Sequence, residues 1–149
     1  MKLEDEIKQT KFRNEYHKLA VNIIYTHGWL NSLQSKLFQE HDITPQQYNI
    51  LRILRGQYPN AVTIALLKER MLDKMSDASR LVERLKSKGL VERKICDEDR
   101  RRVDVVITQM GLLLLENMDD TVKELEKIFT NLTKSEAESL NNMLDKLRG

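Results

Sequence analysis

Residues 76–108, SDASRLVERLKSKGLVERKICDEDRRRVDVVIT, decide how this chain folds. Ala78, Leu81, Val82 and Leu85 recur at i, i+3, i+4 and i+7, which makes one face of a helix apolar. Gly89 stands where a left-handed C-terminal cap is wanted. At about 100° per residue, Ser76, Arg80, Glu83 and Ser87 project opposite that stripe, with Ser79 and Arg84 on its shoulders. Ser76 reads as the N-cap, and the free N–H groups of a helix N-terminus suit a phosphate. Past Gly89 the period changes to two. Residues 90–95 and 103–108 are short and rich in β-branched side chains, which predicts a hairpin with Val103, Val105 and Ile107 on one face. Its tip, Asp97-Glu98-Asp99-Arg100-Arg101-Arg102, carries more charge than a turn needs. Arginine presents a planar fork that fits phosphates and a narrow minor groove, although charge runs at loop tips also serve as plain solvated surface.

Working outward, Ile43-Thr44-Pro45-Gln46-Gln47-Tyr48 has the marks of a helix start. Thr44 and Gln47 form a capping box, Pro45 sits at the first helical position, and Ile43 with Tyr48 makes a hydrophobic staple. That helix should end near Gly56, followed by a loop over 57–61 and a short helix from Thr63 to about Met71. Two short helices joined by a tight turn, the second with a polar and basic outer face, make a helix-turn-helix. The N-terminal third predicts one long helix from near Thr10 to about Gln39, with Tyr16, Leu19, Ile23, Leu30, Leu33 and Leu37 on its apolar side. Beyond Thr108 a helix should run to about Phe129 with Leu115, Met118, Val122, Leu125 and Phe129 at alternating threes and fours. The last helix opens with a capping box, Thr133 to Glu136, and offers Leu140, Met143, Leu144 and Leu147. These seams exceed what one small winged domain can cover, so a homodimer is expected.

The composition sets the outer bounds. The 149 residues, 40% hydrophobic, amount to one domain with a real core. Net charge is only +2, but its distribution is uneven. From Lys68 to Arg102 there are twelve Lys or Arg against eight Asp or Glu, whereas from Gln109 to Gly149 there are five against eight. The basic surplus lies on the suspected reading element. No apolar run approaches a membrane span, and the acidic opening Met1 to Glu6 does not read as a signal peptide. A single cysteine, Cys96, cannot form an internal disulfide and fits a reducing compartment, so a cytoplasmic protein is expected. His17, His27 and His41 are too widely spaced for a metal motif. No phosphate loop, nucleophile elbow or carboxylate pair is present, and the expectation is a non-enzyme without metal or cofactor.

In this order of elements the chain resembles the MarR family of transcriptional regulators. The likeness is carried by residues 43–48, by Ser79-Arg80-Leu81-Val82-Glu83-Arg84-Leu85 with Lys88-Gly89-Leu90-Val91, and by Asp99-Arg100-Arg101 leading to Ile107-Thr108. It implies a mainly α fold with a small β-hairpin (α+β): a winged helix-turn-helix over 42–108, with residues 1–41 and 109–149 forming dimerisation helices of a single MarR-like domain. It further implies a homodimeric repressor on a pseudo-palindromic operator in double-stranded DNA. Ser76, Ser79, Arg80 and Arg84 would sit in the major groove, while Arg100, Arg101 and Arg102 would reach the minor groove or its phosphates. Asp99 would orient a neighbouring arginine. A small amphipathic or phenolic effector is implied as well, and Tyr25, Trp29, Tyr48 and Met71 could help line its pocket, although aromatics at helical spacing are commonly plain core. Two positions depart from the pattern: Met75, where a polar residue is usual, and Cys96, where an acid is common. The competing reading is a winged-helix module that regulates another protein without specific DNA binding, suggested by Glu83 among the arginines of the outer face.

Overall fold

The computed structural model describes residues 1–149, which form two compact units, Met1–Pro45 and Gln46–Gly149. The first holds helix α1 (Leu3–Glu6) and helix α2 (Glu15–Gln39). The long helix starts at Glu15 rather than near Thr10, because the Asn14 side chain accepts the His17 N–H at 2.9 Å and caps it there. The α1 turn was not anticipated. It is fixed by burial of Leu3, by the Glu4–Lys18 ion pair at 2.5 Å and by the Tyr25 hydroxyl donating to Glu6 at 2.7 Å. The hydrogen bond to Lys18 holds the Glu4 carboxyl below its usual range and raises the ammonium, while the Glu6 acceptor raises the Tyr25 phenol.

The second unit is the winged scaffold. Helix α3 (Pro45–Gln57) opens on its proline and buries Ile50, Leu51 and Leu54. Strand β1 (Val62–Thr63) leads into helix α4 (Ile64–Arg70), which Thr63 caps by accepting the Leu66 N–H at 3.1 Å. Helix α5 (Ala78–Ser87) packs on α4 and on strand β2 (Val91–Ile95), which pairs with strand β3 (Val103–Ile107). The α5 apolar stripe is buried at Ala78, Val82 and Leu85. Its stop is a Schellman motif. Gly89 adopts φ +72°, its N–H reaches the Lys86 carbonyl at 2.9 Å, and the Leu90 N–H reaches the Leu85 carbonyl at 3.0 Å.

The expected hairpin is present, with Val91 opposite Ile107 and Ile95 opposite Val103. A third strand was not foreseen: β1 adds to the outer edge of β3, pairing Val62 with Val105 and Thr63 with Asp104, so the antiparallel order is β1-β3-β2. Val106 is buried along with Val105 and Ile107, so both faces of β3 are covered rather than one.

Past the sheet, the helix expected to run unbroken to Phe129 is two: α6 (Gln109–Asn117) and α7 (Asp119–Lys127), followed by a 3-10 turn (Ile128–Asn131). The break falls at buried Met118, whose N–H is shared between Leu114 and Leu115 carbonyls. Asp119 and Asp120 then favour a fresh N-terminus by complementing the helix dipole. Helix α8 (Lys134–Arg148) begins with the foreseen capping box, in which Thr133 and Glu136 bond reciprocally, and it buries no residue. No helix is long and apolar enough to cross a membrane.

Candidate nucleic-acid interface

The outer face of α5 is the centre of the site. Ser79, Arg80 and Arg84 are exposed, and neither arginine is drawn into an ion pair. Ser76 lies just outside the helix, not at its cap. The cap is Asp77, whose carboxylate accepts the Arg80 N–H at 3.1 Å. Both residues are competent caps, but the carboxylate adds a favourable interaction with the helix dipole. Ser76 stays at the site's edge. With Gln46, Asp77, Arg80, Leu81 and Arg84 it lines an open hollow of about 270 Å³. Gln46, the second residue of α3, is 30 positions from Ser76 in the chain, and no local pattern marks it as part of this hollow.

Glu83 is the one acid on this face, and it is neutralised. Its carboxylate meets the Arg93 guanidinium of β2 at 2.6 Å, with the two side chains 52% and 30% exposed. Arg93 Nε is buried without a hydrogen-bond partner, so the guanidinium is committed to this one contact. Period-two reading of β2 cannot reveal such a pair, because Glu83 and Arg93 belong to elements whose relative register depends on the Gly89 turn.

The hairpin tip spans residues 96–102. The Asp99 carboxylate accepts the Arg101 backbone N–H at 3.0 Å and its carbonyl accepts the Arg102 N–H, while the Cys96 N–H bonds to the Arg102 carbonyl at 3.3 Å. This is an Asx-type turn. Asp99 therefore shapes the backbone that carries the arginines and does not hold a guanidinium. Arg102 is turned back along β3, with Nε 2.9 Å from Asp104, a hydrogen bond that raises its pKa further. Arg100 and Arg101 remain exposed and in no ion pair. Of the seven site residues read from sequence, α5 and its entry bring four together, and the tip carries three with one of them tethered.

Residues 41–102, the helix-turn-helix with the first hairpin strand and the tip, match the model of the MarR family. Over 120 residues the chain is 29% identical to the HTH-type transcriptional repressor IacR of Pseudomonas putida, covering 80% of this chain and 71% of that one. A MarR mutant from E. coli complexed with operator DNA superposes with a TM-score of 0.79 at 28% identity, covering 93% of this chain and 99% of that chain. The chain is similar to the MarR family over its helix-turn-helix and, in fold, over nearly its whole length. Its mainly helical architecture with a three-stranded antiparallel sheet is the MarR winged-helix fold. A MarR-like transcription regulator from Bacillus cereus has the same fold, at TM-score 0.80 and 23% identity over 90% of this chain and 96% of that one. The relatives named are transcriptional regulators.

Proposed function

We propose that the chain is a repressor that binds a pseudo-palindromic operator in double-stranded DNA as a homodimer, with α5 in the major groove and the hairpin tip at the minor groove. The observation that carries this reading is the outer face of α5, where Ser79, Arg80 and Arg84 are open while Glu83 is paired with Arg93. Phosphate contacts would provide most of the affinity. Arg80 or Arg84, bidentate to guanine, would contribute about 1–3 kcal/mol of discrimination each. Ser76 would contact phosphate at the helix entry, and Arg100 and Arg101 would enter or flank the minor groove. Arg102 would join them only by leaving Asp104.

Residues 42–108 would serve as the reading lobe, and residues 1–41 and 109–149 as the dimerisation helices. The apolar side chains that each unit leaves open support this. Helix α2 exposes Tyr16 and Ile24, and α8 exposes Leu140, Met143 and Leu147. Two reading helices held by a dimer engage half-sites about one helical turn apart. An amphipathic or phenolic effector would act as the releasing ligand. Its support is a groove of about 360 Å³ along α2, lined by Ile24, Tyr25, Gly28, Trp29, Ser32 and Leu33, an apolar wall with a phenol and an indole for orientation.

The deciding experiment is binding to fragments selected from genomic DNA as a function of ionic strength. A steep fall in affinity with salt, and a marked loss in Arg80→Ala, are expected. Affinity indifferent to both would defeat the assignment, and capture of a protein partner without DNA binding at low salt would favour the interaction-module reading.

A further inference from the structure

The turn between α4 and α5 exposes two large apolar side chains, Leu72 at 88% and Met75 at 92%. Exposed apolar residues are ordinary on mobile loops, but this turn is pinned. The Leu72 N–H donates to the Asn49 side chain of α3 at 2.9 Å, and the Asp73 carboxylate accepts the Met75 N–H at 2.9 Å. The Ser76 N–H reaches the Asp73 carbonyl at 3.2 Å, and the Lys74 ammonium closes back onto the Glu69 carbonyl. The backbone is thereby fixed on both sides of Met75, whose side chain projects outward immediately before the Asp77 cap of α5. Cations surround it in sequence: Lys68, Arg70, Lys74, Arg80 and Arg84. Of the four acids in the same span, Asp73 and Asp77 accept backbone N–H groups, Glu83 pairs with Arg93, and Glu69 is exposed.

An exposed apolar side chain on a turn rich in cations is matched by a partner that is a polyanion with an apolar spot. In the DNA major groove only one base feature is apolar, the C5 methyl of thymine. We infer that Met75 is a specificity residue that reads a thymine methyl in each half-site, its flexible, polarizable thioether adapting to the methyl beside the guanine contact of Arg80 or Arg84. This rests on the DNA-binding reading above. Met75 would add a sequence preference that hydrogen-bonding residues of α5 do not supply.

The test replaces each thymine of the tightest duplex selected from a random pool by deoxyuridine, one position at a time, and measures binding by the wild-type dimer, Met75→Ser and Met75→Leu. Removing one methyl from a fully formed apolar contact weakens binding about four-fold. The wild type is expected to show that loss at one symmetric pair of positions, Met75→Leu to retain it, and Met75→Ser to bind thymine and deoxyuridine equally. Two outcomes overturn the inference while leaving DNA binding intact: no position sensitive to the methyl, or a sensitivity that persists unchanged in Met75→Ser. Absence of any DNA binding overturns the inference together with the reading it rests on.

Discussion

Replacing Arg93 by methionine separates the folding role of the Glu83–Arg93 pair from its electrostatic role. Methionine keeps most of the aliphatic stem that packs beneath α5 and removes both the guanidinium and its unpartnered Nε. Because the bridge is half-exposed on the Glu83 side, it contributes little to folding, about 0–1 kcal/mol. The consequence for DNA is larger. Freed from Arg93, Glu83 becomes an uncompensated charge on the face that would meet phosphates. At an effective dielectric of about 40 and a separation of about 8 Å, each phosphate repels it by about 1 kcal/mol. Two such phosphates, screened over a Debye length of about 8 Å, leave about 0.8 kcal/mol, or roughly a four-fold loss of affinity.

Fluorescence anisotropy with the selected duplex across an ionic-strength series reads the loss, and urea denaturation reads the folding term. The expected pattern is a small stability change, a roughly four-fold weakening that shrinks as salt rises, and recovery to near wild-type affinity in Arg93→Met/Glu83→Gln. A double variant as weak as Arg93→Met would refute the reasoning, since Arg93 would then act on DNA itself or through the fold. Wild-type affinity in Arg93→Met would refute it equally.

Gly111→Ala places a Cβ 2.4 Å from the Leu90 carbonyl oxygen and 2.6 Å from Ile107 Cγ1, so α6 must move off the base of the hairpin; a loss of about 1–3 kcal/mol is expected by urea denaturation. Thr133→Ala removes the α8 capping box and should cost about 1 kcal/mol, read by thermal unfolding followed by circular dichroism. The hydrogen bonds from the Thr133 N–H and hydroxyl hold the Glu136 carboxyl below its usual range, so the contribution of the box is complete above the unfolded carboxyl range. It is lost as pH falls through the depressed value, an acid-side loss that Glu136→Gln abolishes. Met143→Glu and Leu147→Lys place charges on the exposed seam of α8 and should convert the dimer to monomer in analytical ultracentrifugation; a dimer undisturbed by both would remove α8 from the interface.

Much of this architecture is legible because it is local. The 3.6-residue stripe of α5, the cap at Gly89, the Thr133 box and the switch to period two at residue 90 each depend on neighbours within a few positions. The order of these pieces carried the family resemblance, which then supplied their expected roles. What escaped the sequence depends on pairs distant along the chain. A two-residue strand has no periodicity, so β1 becomes visible only once β3 lies beside it. The break at Met118 was masked because its seam spacing continues smoothly across the kink, and only the acids that follow hinted at a new start. The choice between Ser76 and Asp77 as cap is a one-residue difference between two competent side chains. Arg93 was invisible as a site residue because its importance lies in what it does to Glu83.

The charge layout explains why a net charge of +2 is compatible with a nucleic-acid interface. Around the reading elements, several carboxylates are engaged by the scaffold. Asp73 and Asp77 accept backbone N–H groups in the turn and cap, Glu83 pairs with Arg93, Asp99 folds the tip, and Asp104 holds Arg102. Arg80, Arg84, Arg100 and Arg101 have no such commitments and stay exposed. A tally of acids against bases treats both sets alike, although Glu83 and Asp104 are each compensated by a guanidinium while Arg80, Arg84, Arg100 and Arg101 are not compensated by any acid. Asp97 and Glu98 remain exposed on the β2 side of the tip. Phosphate would therefore be met from the β3 side, where Arg100 and Arg101 lead, and reversing the charge of either arginine should weaken binding more than neutralising Asp97 or Glu98 strengthens it.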